Sequence, residues 1–295
     1  MKLNELNILV TGSQGFVGTH LVNALKRKDV SVKEIDIKNG IDITNWTQLY
    51  NNIKTLSHID VLFHLAAIVF IPFSFKNPRI TYTVNTMGTL YMLEIARILD
   101  IKKFIFASSY VYGLPHYLPI DEHHPINVKS PYNRSKILGE ELCKGYHEDY
   151  GLKCIILRPF NIYGKGQNED FVIPSIIAQL PSNKIILENP NPKRDYVYVD
   201  DVVSAYIKTI NYEARDMDIF NIGSGMSYSV NEIVGKIIHL AKRNKVTVSY
   251  THKERKSEIN NIIADIRKAK EKMNWQPTID IDKGLSKMIK NSFHI

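Results

Sequence analysis

The stretch SPYNRSK places Tyr132 and Lys136 four residues apart at the start of a predicted helix. Residues i and i+4 lie on one face of a helix, so the phenol and the ammonium face the same neighbours. A tyrosine phenol has an ordinary pKa of ~10 and is a poor base at neutral pH, but a nearby ammonium stabilises the phenolate and lowers that pKa. The pair can therefore supply a general acid/base. The spacing alone is common, so the surrounding elements must decide whether it has this role.

Four side-chain hydroxyls crowd the stretch ASSYVYG, which follows the apolar run KKFIF. They belong to Ser108, Ser109, Tyr110 and Tyr112. Hydroxyls clustered at the end of a buried strand are unusual, and one of them could hydrogen-bond a reacting oxygen. The stretch by itself leaves open which hydroxyl that is.

Three glycines stand at the spacing G-x-x-G-x-x-G in TGSQGFVG, between a predicted strand and a predicted helix. Gly12 permits a tight turn, Gly15 lets the backbone approach a pyrophosphate, and Gly18 allows close packing of helix on strand. The helix N-terminus also favours an anion. A glycine pattern is weak evidence alone, and its position at the first strand–helix junction strengthens it. We predict a dinucleotide site here that includes Phe16 and Val17.

Two aspartates extend this predicted site. Asp36 lies at the end of the second predicted strand, 18 residues after Gly18. A carboxylate there can accept hydrogen bonds from the adenosine ribose and would repel a 2′-phosphate, which favours NAD over NADP. A solvated aspartate at a strand end is the alternative. Asp42 could reach the adenine edge or belong to the start of the next helix. We therefore predict NAD as the cofactor.

The first half of the chain alternates apolar runs with amphipathic stretches, which indicates strands alternating with helices. Such alternation implies right-handed βαβ crossovers and a parallel sheet, and almost purely apolar strands are expected where both faces are covered. We predict an α/β protein with a Rossmann-type doubly wound parallel sheet. The predicted strands are 7–12, 30–36, 59–67, 102–108 and 153–159, and the predicted helices are 15–28, 44–56, 77–99 and 131–150.

After about residue 165 the alternation loosens. We predict that residues 1–165 form the NAD-binding domain and that residues 166–295 form mainly a smaller C-terminal substrate-binding lobe, interleaved with the first. The elements predicted in this half are a helix at 171–180, a strand end and helix over 196–210, a strand at 220–224, a helix at 229–243, a strand at 246–250 and two short helices beyond.

The composition of the 295 residues is that of an ordinary globular protein, with 44% hydrophobic and 23% charged residues. No apolar run approaches the ~18 residues that span a bilayer, and the start lacks the features of a signal peptide, so we expect a cytoplasmic protein without a membrane partner. Cys143 and Cys154 make no disulfide framework, and no His/Cys cluster suggests a metal site. The net charge is +8, but the dense basic stretch KERK (253–256) lies among acidic residues. We therefore expect no nucleic-acid binding.

Taken together, the motifs resemble those of the extended short-chain dehydrogenase/reductases, specifically the nucleotide-sugar epimerase/dehydratase family and its UDP-glucose/galactose 4-epimerase-like members. The resemblance runs nearly end to end, and the ordered set is far more specific than any one motif. The matching stretches are TGSQGFVG, Asp36, HLAA (64–67), VNTMGTLYMLEIA (84–96), SSYVYG, YNRSK, RPFNIYG (158–164), RDYVYVDD (194–201), NIGSG (221–225) and MNWQP (273–277).

The resemblance implies roles for individual residues. The family's catalytic Ser or Thr precedes the Tyr of VYG by four residues, which gives Ser108, whose hydroxyl would hydrogen-bond the reacting oxygen of the sugar. Tyr132 would remove or return the proton, and Lys136 would bind the nicotinamide ribose. Asn85 resembles the family's asparagine that buttresses the site, although a polar helix residue with a local bond is the alternative. Further cofactor contacts are implied for Ile43, Leu65, Ala66 and Ala67.

The resemblance also implies a nucleotide-diphosphate sugar as substrate. Asn161, Arg194 and Arg255 match positions that contact the diphosphate, and arginine suits phosphate because its planar fork gives bidentate, charge-assisted bonds. Glu258 stands where the family usually has an aspartate for the nucleotide ribose, so it keeps the acceptor on a longer arm. Ser109 is included among the substrate contacts. No residue decides between the possible bases.

Three reaction types share this scaffold in the family. Nucleotide-sugar 4,6-dehydratases carry an Asp-Glu pair directly after the catalytic Ser or Thr, and here those positions hold Ser109 and Tyr110, which do not suit that elimination. We therefore predict an NAD-dependent 4-epimerase acting through a transient 4-keto sugar, with an NAD(P)H-dependent nucleotide-4-keto-6-deoxyhexose 4-reductase as the alternative.

A non-catalytic NAD-sensing regulator is disfavoured, because such proteins commonly lose the tyrosine or the lysine, and both are present. The family further implies a homodimer formed through the helices near 77–99 and 131–150, and a place in polysaccharide biosynthesis.

Overall fold

Six strands form a parallel sheet at the centre of the molecule. They are β1 (Asn7–Thr11), β2 (Ser31–Ile35), β3 (Val61–His64), β4 (Lys103–Ala107), β5 (Lys153–Pro159) and, from much later in the chain, β9 (Asp218–Ile222). The computed structural model describes residues 2–56, 58–213, 217–252 and 258–293. The strand order is β2-β1-β3-β4-β5-β9. Because the winding direction reverses between β1 and β3, the carboxyl ends of these two strands border the crevice in which such sheets bind ligands.

Helices cover both faces of this sheet, because its central strands carry apolar side chains on both sides. Leu21 of the first helix and Val202 pack with one set of strand residues, and Leu93 and Cys143 pack with the other set. The helices are α1 (Phe16–Lys26), α2 (Trp46–Ile53), α3 (Ile71–Lys76), α4 (Pro78–Tyr82), α5 (Gly88–Ile98), α6 (Pro131–Tyr150), α7 (Val172–Gln179), α8 (Val199–Asn211), α9 (Val230–Leu240), α10 (Arg267–Met273) and α11 (Ile281–Phe293).

Local sequence defines both ends of α6, the long helix that carries the tyrosine and lysine of interest. The Ser130 side chain accepts a hydrogen bond from the backbone N–H of Asn133 at 3.1 Å, and Pro131 occupies the first helical position. Both residue types are favoured there. At the other end Gly151 adopts φ +70°, the left-handed conformation that terminates helices. The helix therefore begins one residue before Tyr132.

The predicted helix over 77–99 differs most from the structure. It consists of α4, one π-helical turn over Thr83–Met87, and α5. The π turn contains the buried Asn85, and such turns are frequent at functional sites. The strand predicted at 59–67 ends at His64, and the following residues run in a loop to α3, which the sequence did not predict.

Two smaller sheets come from the second half of the chain. One joins β10 (Ser227–Ser229), β8 (Lys193–Tyr198) and β6 (Asn161–Tyr163), and the other pairs β11 (Thr247–Tyr250) with β7 (Lys184–Leu187). Their shared apolar cluster includes Ile177, Ile185, Ile233 and Leu285. Because β9 nevertheless lies in the large sheet, the two halves of the chain are interleaved. The division at residue 165 stays a prediction.

A buried lysine lies at the edge of the sheet where the parallel strands begin. Lys103, at the start of β4, directs its ammonium to the carbonyl oxygens of Thr209, Ile210 and Tyr212 at 3.1, 2.7 and 2.8 Å. These carbonyls lie at the end of α8, where a helix has more backbone acceptors than donors, although the Thr209 carbonyl also accepts from the Tyr212 N–H at 3.3 Å. A cation at a helix C-terminus is also favoured by the helix dipole. Lys103 thus joins β4 to α8 on the side of the sheet away from the crevice.

Candidate active site

The glycine-rich turn after β1 is packed too tightly for side chains. Gly12 adopts φ +69°, and a Cβ built on it would lie 2.7 Å from the backbone nitrogen of Ala66. A Cβ on Gly18 would lie 2.0 Å from the carbonyl oxygen of Gly12, whereas one on Gly15 would lie 3.2 Å from that same oxygen. The turn therefore brings α1 against β1 and the loop after β3, as expected for a dinucleotide turn.

The N-terminus of α1 adjoins this turn, and the helix's own residues do not neutralise the positive end of its dipole. Its cap residue, Gly15, offers no side chain, and its first turn holds no acidic residue. The hydroxyl of Ser13 is buried and has no hydrogen-bond partner among the described residues. Phe16 and Val17 form the first helical turn. A free helix N-terminus beside an unpartnered buried hydroxyl fits the pyrophosphate of a dinucleotide, so the residues present suit NAD.

Asp36 closes the turn from the end of β2. Its carboxylate accepts hydrogen bonds from the backbone N–H of Gln14 at 2.9 Å and of Lys38 at 3.0 Å, and it is mostly buried. The Lys38 ammonium donates to the Gln14 carbonyl at 3.0 Å. Each carboxylate oxygen keeps acceptor capacity beyond these bonds, so the position that was predicted for ribose recognition is held in place by backbone donors.

Asp42 and Ile43 lie just beyond, in the connection to α2. Asp42 accepts hydrogen bonds from the backbone and hydroxyl of Thr44, both at 2.8 Å, while Asn45 caps α2. Asp42 thus forms a local turn before α2, and its contact with the adenine stays a prediction. Ile43 is buried, and its side chain fills the space beside Gly88 of α5.

Leu65, Ala66 and Ala67 continue β3 into the crevice. Leu65 donates its N–H to the Thr11 carbonyl at 3.2 Å, and Ala66 donates its N–H to the Thr11 hydroxyl at 3.3 Å. Asn85 clamps the next residue, Ile68, by accepting from its N–H at 2.8 Å and donating to its carbonyl at 2.9 Å. The loop that borders the predicted cofactor site is therefore held at both ends.

A buried histidine, His64, links the end of β1 to the start of α5. Its Nδ1 lies 2.7 Å from the Thr11 hydroxyl and its Nε2 lies 3.0 Å from the Thr89 hydroxyl. Thr89 donates its own proton to the Asn85 carbonyl at 2.6 Å, so it must accept from Nε2–H, and Nδ1 accepts from Thr11. Burial, and then the charge of Lys136, lower the pKa of His64 to about 3. The imidazole is therefore neutral.

Tyr132 and Lys136 project from the first turns of α6 and are both buried. The Lys136 ammonium donates to the Ala107 carbonyl at 2.8 Å and stands 5.1 Å from the ring centroid of Phe106. Burial lowers the pKa of Lys136 to about 8, against a raising effect of Glu140. Asn85 donates to the Ser135 hydroxyl between them at 2.9 Å, which fixes this turn of α6.

The pKa of Tyr132 is raised rather than lowered. Burial of the phenol raises it, and a hydrogen bond with the Ser109 side chain opposes that rise. The sequence led us to expect that Lys136 lowers the pKa of this phenol, but its ammonium is directed to the Ala107 carbonyl. A protonated phenol is therefore the resting form at neutral pH.

The side chain of Ser108 belongs to a buried ionic network. Its hydroxyl donates to Glu140 at 2.5 Å, and Arg158 makes two bonds to the same carboxylate, at 2.9 and 2.5 Å. Arg158 also donates to the Tyr112 hydroxyl at 3.0 Å, which donates to Asn221 at 2.6 Å. The network joins β4, β5, β9 and α6. Four of its members, all except Ser108, were missed as site residues by the sequence analysis.

Two signals in the sequence could have indicated this network. Glu140 lies four residues after Lys136 and eight after Tyr132, on the same helical face, and Arg158 interrupts the apolar run of β5. A charged residue in a strand that is covered on both faces requires a buried partner. The position of the partner depends on how β5 and α6 pack, which the sequence does not give.

Among the predicted substrate residues, Asn161 and Arg194 lie in the small sheet of β10, β8 and β6, and Glu258 is beside Arg194. Arg194 makes an ion pair with Glu258 at 2.9 Å and donates to the Ile259 carbonyl at 2.6 Å. Asn161, at the start of β6, is exposed. Arg255 lies outside the described residues. The structure therefore brings Arg194 and Glu258 together, although they were assigned to different parts of the substrate.

Tyr110 follows β4 by three residues and packs against neighbouring aromatic rings. Its ring packs edge to face on Phe160 and Tyr112, with centroids 5.3 and 5.7 Å apart, and its hydroxyl donates to the Gly113 carbonyl. Asn133 of α6 donates to the Tyr110 carbonyl at 2.7 Å. No carboxylate stands at this residue or at Ser109, where an eliminating enzyme of the resembled family needs an acid and a base.

A doubly wound sheet with a glycine turn at its switch point, and a tyrosine–lysine pair on the helix after β4, defines a nicotinamide-dependent enzyme of the short-chain type. The model of the NAD dependent epimerase/dehydratase family matches residues 8–223. The chain belongs to this family of extended short-chain dehydrogenase/reductases. The predicted family, the Rossmann-type α/β fold, the assignment as an enzyme and NAD as the cofactor are thereby confirmed.

Individual relatives match along nearly their whole length. A Methanocaldococcus jannaschii protein named "Putative UDP-glucose 4-epimerase" is 37% identical over 302 residues, covering 96% of this chain and 97% of that one. An Escherichia coli dTDP-4-dehydro-6-deoxyglucose reductase is 29% identical, with 99% of each chain covered. The UDP-glucose 4-epimerase of Thermotoga maritima, solved with UDP-glucose, superimposes with a TM-score of 0.91 at 29% identity, over 97% of this chain and 98% of that one.

Two further observations concern membrane-spanning helices and metal sites. Among the described residues, no helix is long and apolar enough to cross a membrane. Within the same part of the chain, no three histidine, cysteine or acidic residues are grouped so that they could hold a metal ion.

Proposed function

We propose that the chain is an NAD-dependent nucleotide-sugar 4-epimerase that acts through a transient 4-keto sugar. The observation that carries this proposal is the buried phenol of Tyr132, which lies one helical turn from the buried Lys136 on α6. The pyranose would lie between this phenol and the lobe. The absence of an acid–base pair at Ser109 and Tyr110 supports hydride transfer without elimination.

The chain's own residues would move the proton and hold the reactants. When bound, NAD supplies a hydride acceptor and donor for C4 of the sugar. Tyr132 accepts the proton of the C4 hydroxyl as the carbonyl forms and returns it when the carbonyl is reduced on its other face. Only the phenolate can accept this proton, and the raised pKa of Tyr132 favours the protonated phenol, so the forward step needs a group that stabilises the phenolate. Lys136, four residues along the same helical face, would bind the nicotinamide ribose and favour the phenolate once the cofactor has engaged it.

The rest of the cofactor would be held by the turn after β1. The N-terminus of α1, with Gly15, Phe16 and Val17, would take the pyrophosphate, and Asp36 would take the adenosine ribose. Asn85 would act as a positioning residue, because its bonds to Ile68 and Ser135 hold the loop after β3 and the first turns of α6.

We propose further that the substrate diphosphate binds at Arg194, which would exchange its ion pair with Glu258 for phosphate oxygens. Its guanidinium is one-fifth exposed, so the exchange needs only a small movement of a side chain. Glu258, once released, could accept from the ribose of the nucleotide. Asn161 would add a donor, and Arg255 remains a proposed diphosphate contact. The chemistry recognised is that of a nucleotide diphosphate, with no residue selecting the base.

The alternative function is that of a 4-ketoreductase, and the similarity to the Escherichia coli reductase supports it. Such an enzyme uses the second half of the same cycle with Tyr132 as the acid, and it must exchange its cofactor at each turnover. The carboxylate of Asp36, which repels a 2′-phosphate, supports the epimerase, since reductases in this family often prefer NADPH.

We also propose a homodimer through α4–α6. A groove of about 370 Å³, lined by Thr86, Leu138, Leu142, Tyr146 and Tyr150 among others, runs along α6 beside the π turn. Leu138 and Tyr150 are about half exposed, as are Met87 and Ile98 on the neighbouring segment. A second copy placed against this face would bury these side chains, which favours association.

The experiment that tests the function is NMR of UDP-galactose, UDP-glucose and 4-keto nucleotide sugars incubated with the protein. Interconversion of the two UDP-hexoses with no added cofactor beyond that bound would support the epimerase. Conversion only of 4-keto sugars, with stoichiometric loss of NAD(P)H, would support the reductase instead. The variant Tyr132→Phe, which loses only the hydroxyl, should lower turnover by at least about a thousandfold and leave NAD binding unchanged. A variant within tenfold of the parent would contradict the role of Tyr132.

A further inference from the structure

His20 of α1 places both of its ring nitrogens opposite oxygen acceptors. Nε2 lies 2.8 Å from the carbonyl oxygen of Lys165, and Nδ1 lies 3.4 Å from the Oδ1 atom of Asp200. A carbonyl and a carboxylate can only accept hydrogen bonds, whereas a neutral imidazole carries a single N–H. The observed arrangement therefore suits the doubly protonated ring, in which both nitrogens donate.

The charges around His20 favour this protonated form. The hydrogen bonds to Asp200 and Lys165 raise the pKa of His20 above its ordinary 6.5, against the opposing effects of partial burial and of Arg27 at the end of α1. The Asp200 carboxylate also pairs with Lys287 of α11 at 3.3 Å, and His20 and then Lys287 lower the pKa of this carboxyl. An ionised Asp200 thus faces the ring, which loses its proton only above the ordinary pH range of a histidine.

His20 and its partners lie where the two halves of the chain meet. The ring packs edge to face on Phe16 in the first turn of α1, with centroids 5.8 Å apart, and Phe16 packs against the apolar cluster of the lobe. Lys165 belongs to the β6–α7 loop (residues 164–171). Its neighbour Gly164 lies so close to α8 that a Cβ would be 2.4 Å from the Val199 side chain. His20 therefore joins α1 to this loop and to the start of α8.

This contact joins the two proposed diphosphate sites. The N-terminus of α1, which would hold the pyrophosphate of NAD, begins four residues before His20, and Asn161 of β6, a proposed contact of the substrate diphosphate, lies four residues before Lys165. A neutral ring can donate to Lys165 or to Asp200 but not to both, and its unprotonated nitrogen then turns a lone pair toward an oxygen. Loss of the proton should therefore loosen the β6–α7 loop from α1.

We propose that His20 is a positioning residue for nucleotide-sugar binding, and that its charged ring holds α1 and the β6–α7 loop together so that substrate affinity falls as the pH rises. The inference rests on the proposed function for the identity of the ligand. Because the pKa of His20 is raised in the folded protein, the contact is complete below pH 6.5 and is lost as the pH rises through the raised pKa.

The test measures UDP-glucose binding by titration calorimetry between about pH 6 and about pH 9, with NAD bound and in Tyr132→Phe protein so that no turnover occurs. The dissociation constant should rise about fivefold across this range, as expected for loss of a partly exposed ion pair. His20→Gln, whose amide can still donate to Lys165 but carries no charge, should bind about fivefold more weakly at the low end of the range and equally at the high end. Lys287→Met, the matched control, removes the other cation beside Asp200 and should keep the pH dependence.

A second measurement follows the ring itself. In protein labelled at histidine ¹³Cε1, the resonance of His20 is identified by its loss in His20→Gln, and its titration gives the pKa. Asp200→Asn should lower this pKa. UDP-glucose should raise it, because a ligand that binds the protonated form more tightly must increase the affinity of the ring for its proton.

The inference is overturned by a dissociation constant that is independent of pH, by the same pH dependence in His20→Gln, or by the absence of UDP-glucose binding across the range. An effect of His20→Gln that is equal at both ends of the range would also overturn it, because a merely structural role predicts that result. The proposed function is tested separately, because its failure appears as retained turnover in Tyr132→Phe or as no conversion of UDP-hexoses by the unaltered chain, and the binding measurements involve no turnover.

Discussion

Replacing Lys136 with methionine should make the folded protein more stable at neutral pH while abolishing turnover. Lys136 is a buried cation whose ammonium makes one hydrogen bond, to the Ala107 carbonyl at 2.8 Å, and its carboxylate neighbour Glu140 is already engaged by Arg158. Burial lowers the pKa of Lys136 from 10.5 to about 8. The folded protein therefore holds this proton less tightly than the unfolded chain does, and keeping the lysine charged inside the fold has a cost.

The size and pH range of that cost follow from the two pKa values. A tenfold change in proton affinity corresponds to about 1.4 kcal/mol, so the fall from 10.5 to about 8 corresponds to about 3 kcal/mol. Above pH 10.5 the amine is neutral in both states and the cost is absent. As the pH falls from 10.5 to 8, only the unfolded chain takes up the proton, so the folded state loses stability. Below pH 8 the loss is complete.

Methionine has a similar length and no charge, so it removes the cost and also the hydrogen bond to Ala107, which is worth about 1 kcal/mol. We therefore expect Lys136→Met to raise the free energy of unfolding by about 2 kcal/mol at pH 7, measured by urea denaturation without added NAD. The advantage should shrink toward pH 10.5, where the lysine protein becomes the more stable of the two. A variant that is less stable at pH 7, or a difference that does not change between pH 8 and 10.5, would refute this account of Lys136.

Three other perturbations test different parts of the molecule. Asp36→Ser removes the carboxylate that repels a 2′-phosphate and should shift the NADH-to-NADPH affinity ratio by at least about tenfold toward NADPH. Fluorescence titration measures both affinities. A parent protein that binds NADPH more tightly than NADH would contradict the role assigned to Asp36. Lys103→Met removes the ammonium that donates to three carbonyls at the end of α8. Burial lowers the pKa of Lys103 too, but the loss of three hydrogen bonds should outweigh the relief of that cost and lower the free energy of unfolding by about 1 to 2 kcal/mol, whereas the exposed Lys102→Met should change it by less than about 0.5 kcal/mol; equal effects would argue against the buried contact. Leu138→Glu places a charge in the apolar groove of α6 and should convert a dimer to a monomer in light scattering, and an unchanged mass would exclude this face as the interface.

The sequence predicts those parts of the site that depend on local signals. Tyr132 and Lys136 are brought together because a serine cap, a proline and a terminal glycine define one helix around them. The glycine turn is predictable for a similar reason, since its three glycines meet the backbone of the same short segment and of the loop after β3. In both cases the residues that create the geometry lie within a few positions of those that use it.

The parts that could not be predicted depend on contacts between distant segments. Glu140 and Arg158 come from a helix and a strand whose relative placement is set by the whole sheet, and their ion pair decides where Ser108 points. Arg194 and Glu258 were assigned separately to the substrate, and the fold pairs them with each other because β8 runs beside the segment that holds Glu258. Similarly, Lys136 does not lower the pKa of Tyr132 as expected, because its ammonium donates to the Ala107 carbonyl at the end of β4.

β9 is synthesised well after the other strands of the large sheet, and this order affects how the chain folds during its synthesis. β9 is made about 60 residues after β5, its neighbour in the sheet, which corresponds to roughly 3 to 12 seconds at ordinary rates of translation. Until then the outer edge of β5 presents unpaired N–H and carbonyl groups beside Ile155, Ile156 and Leu157. An open apolar edge invites pairing with another chain. The nascent amino-terminal half is therefore an incomplete folding unit that needs shielding on the ribosome, and a fragment ending at residue 165 should aggregate rather than fold, although it contains every residue of the glycine turn and the tyrosine–lysine pair.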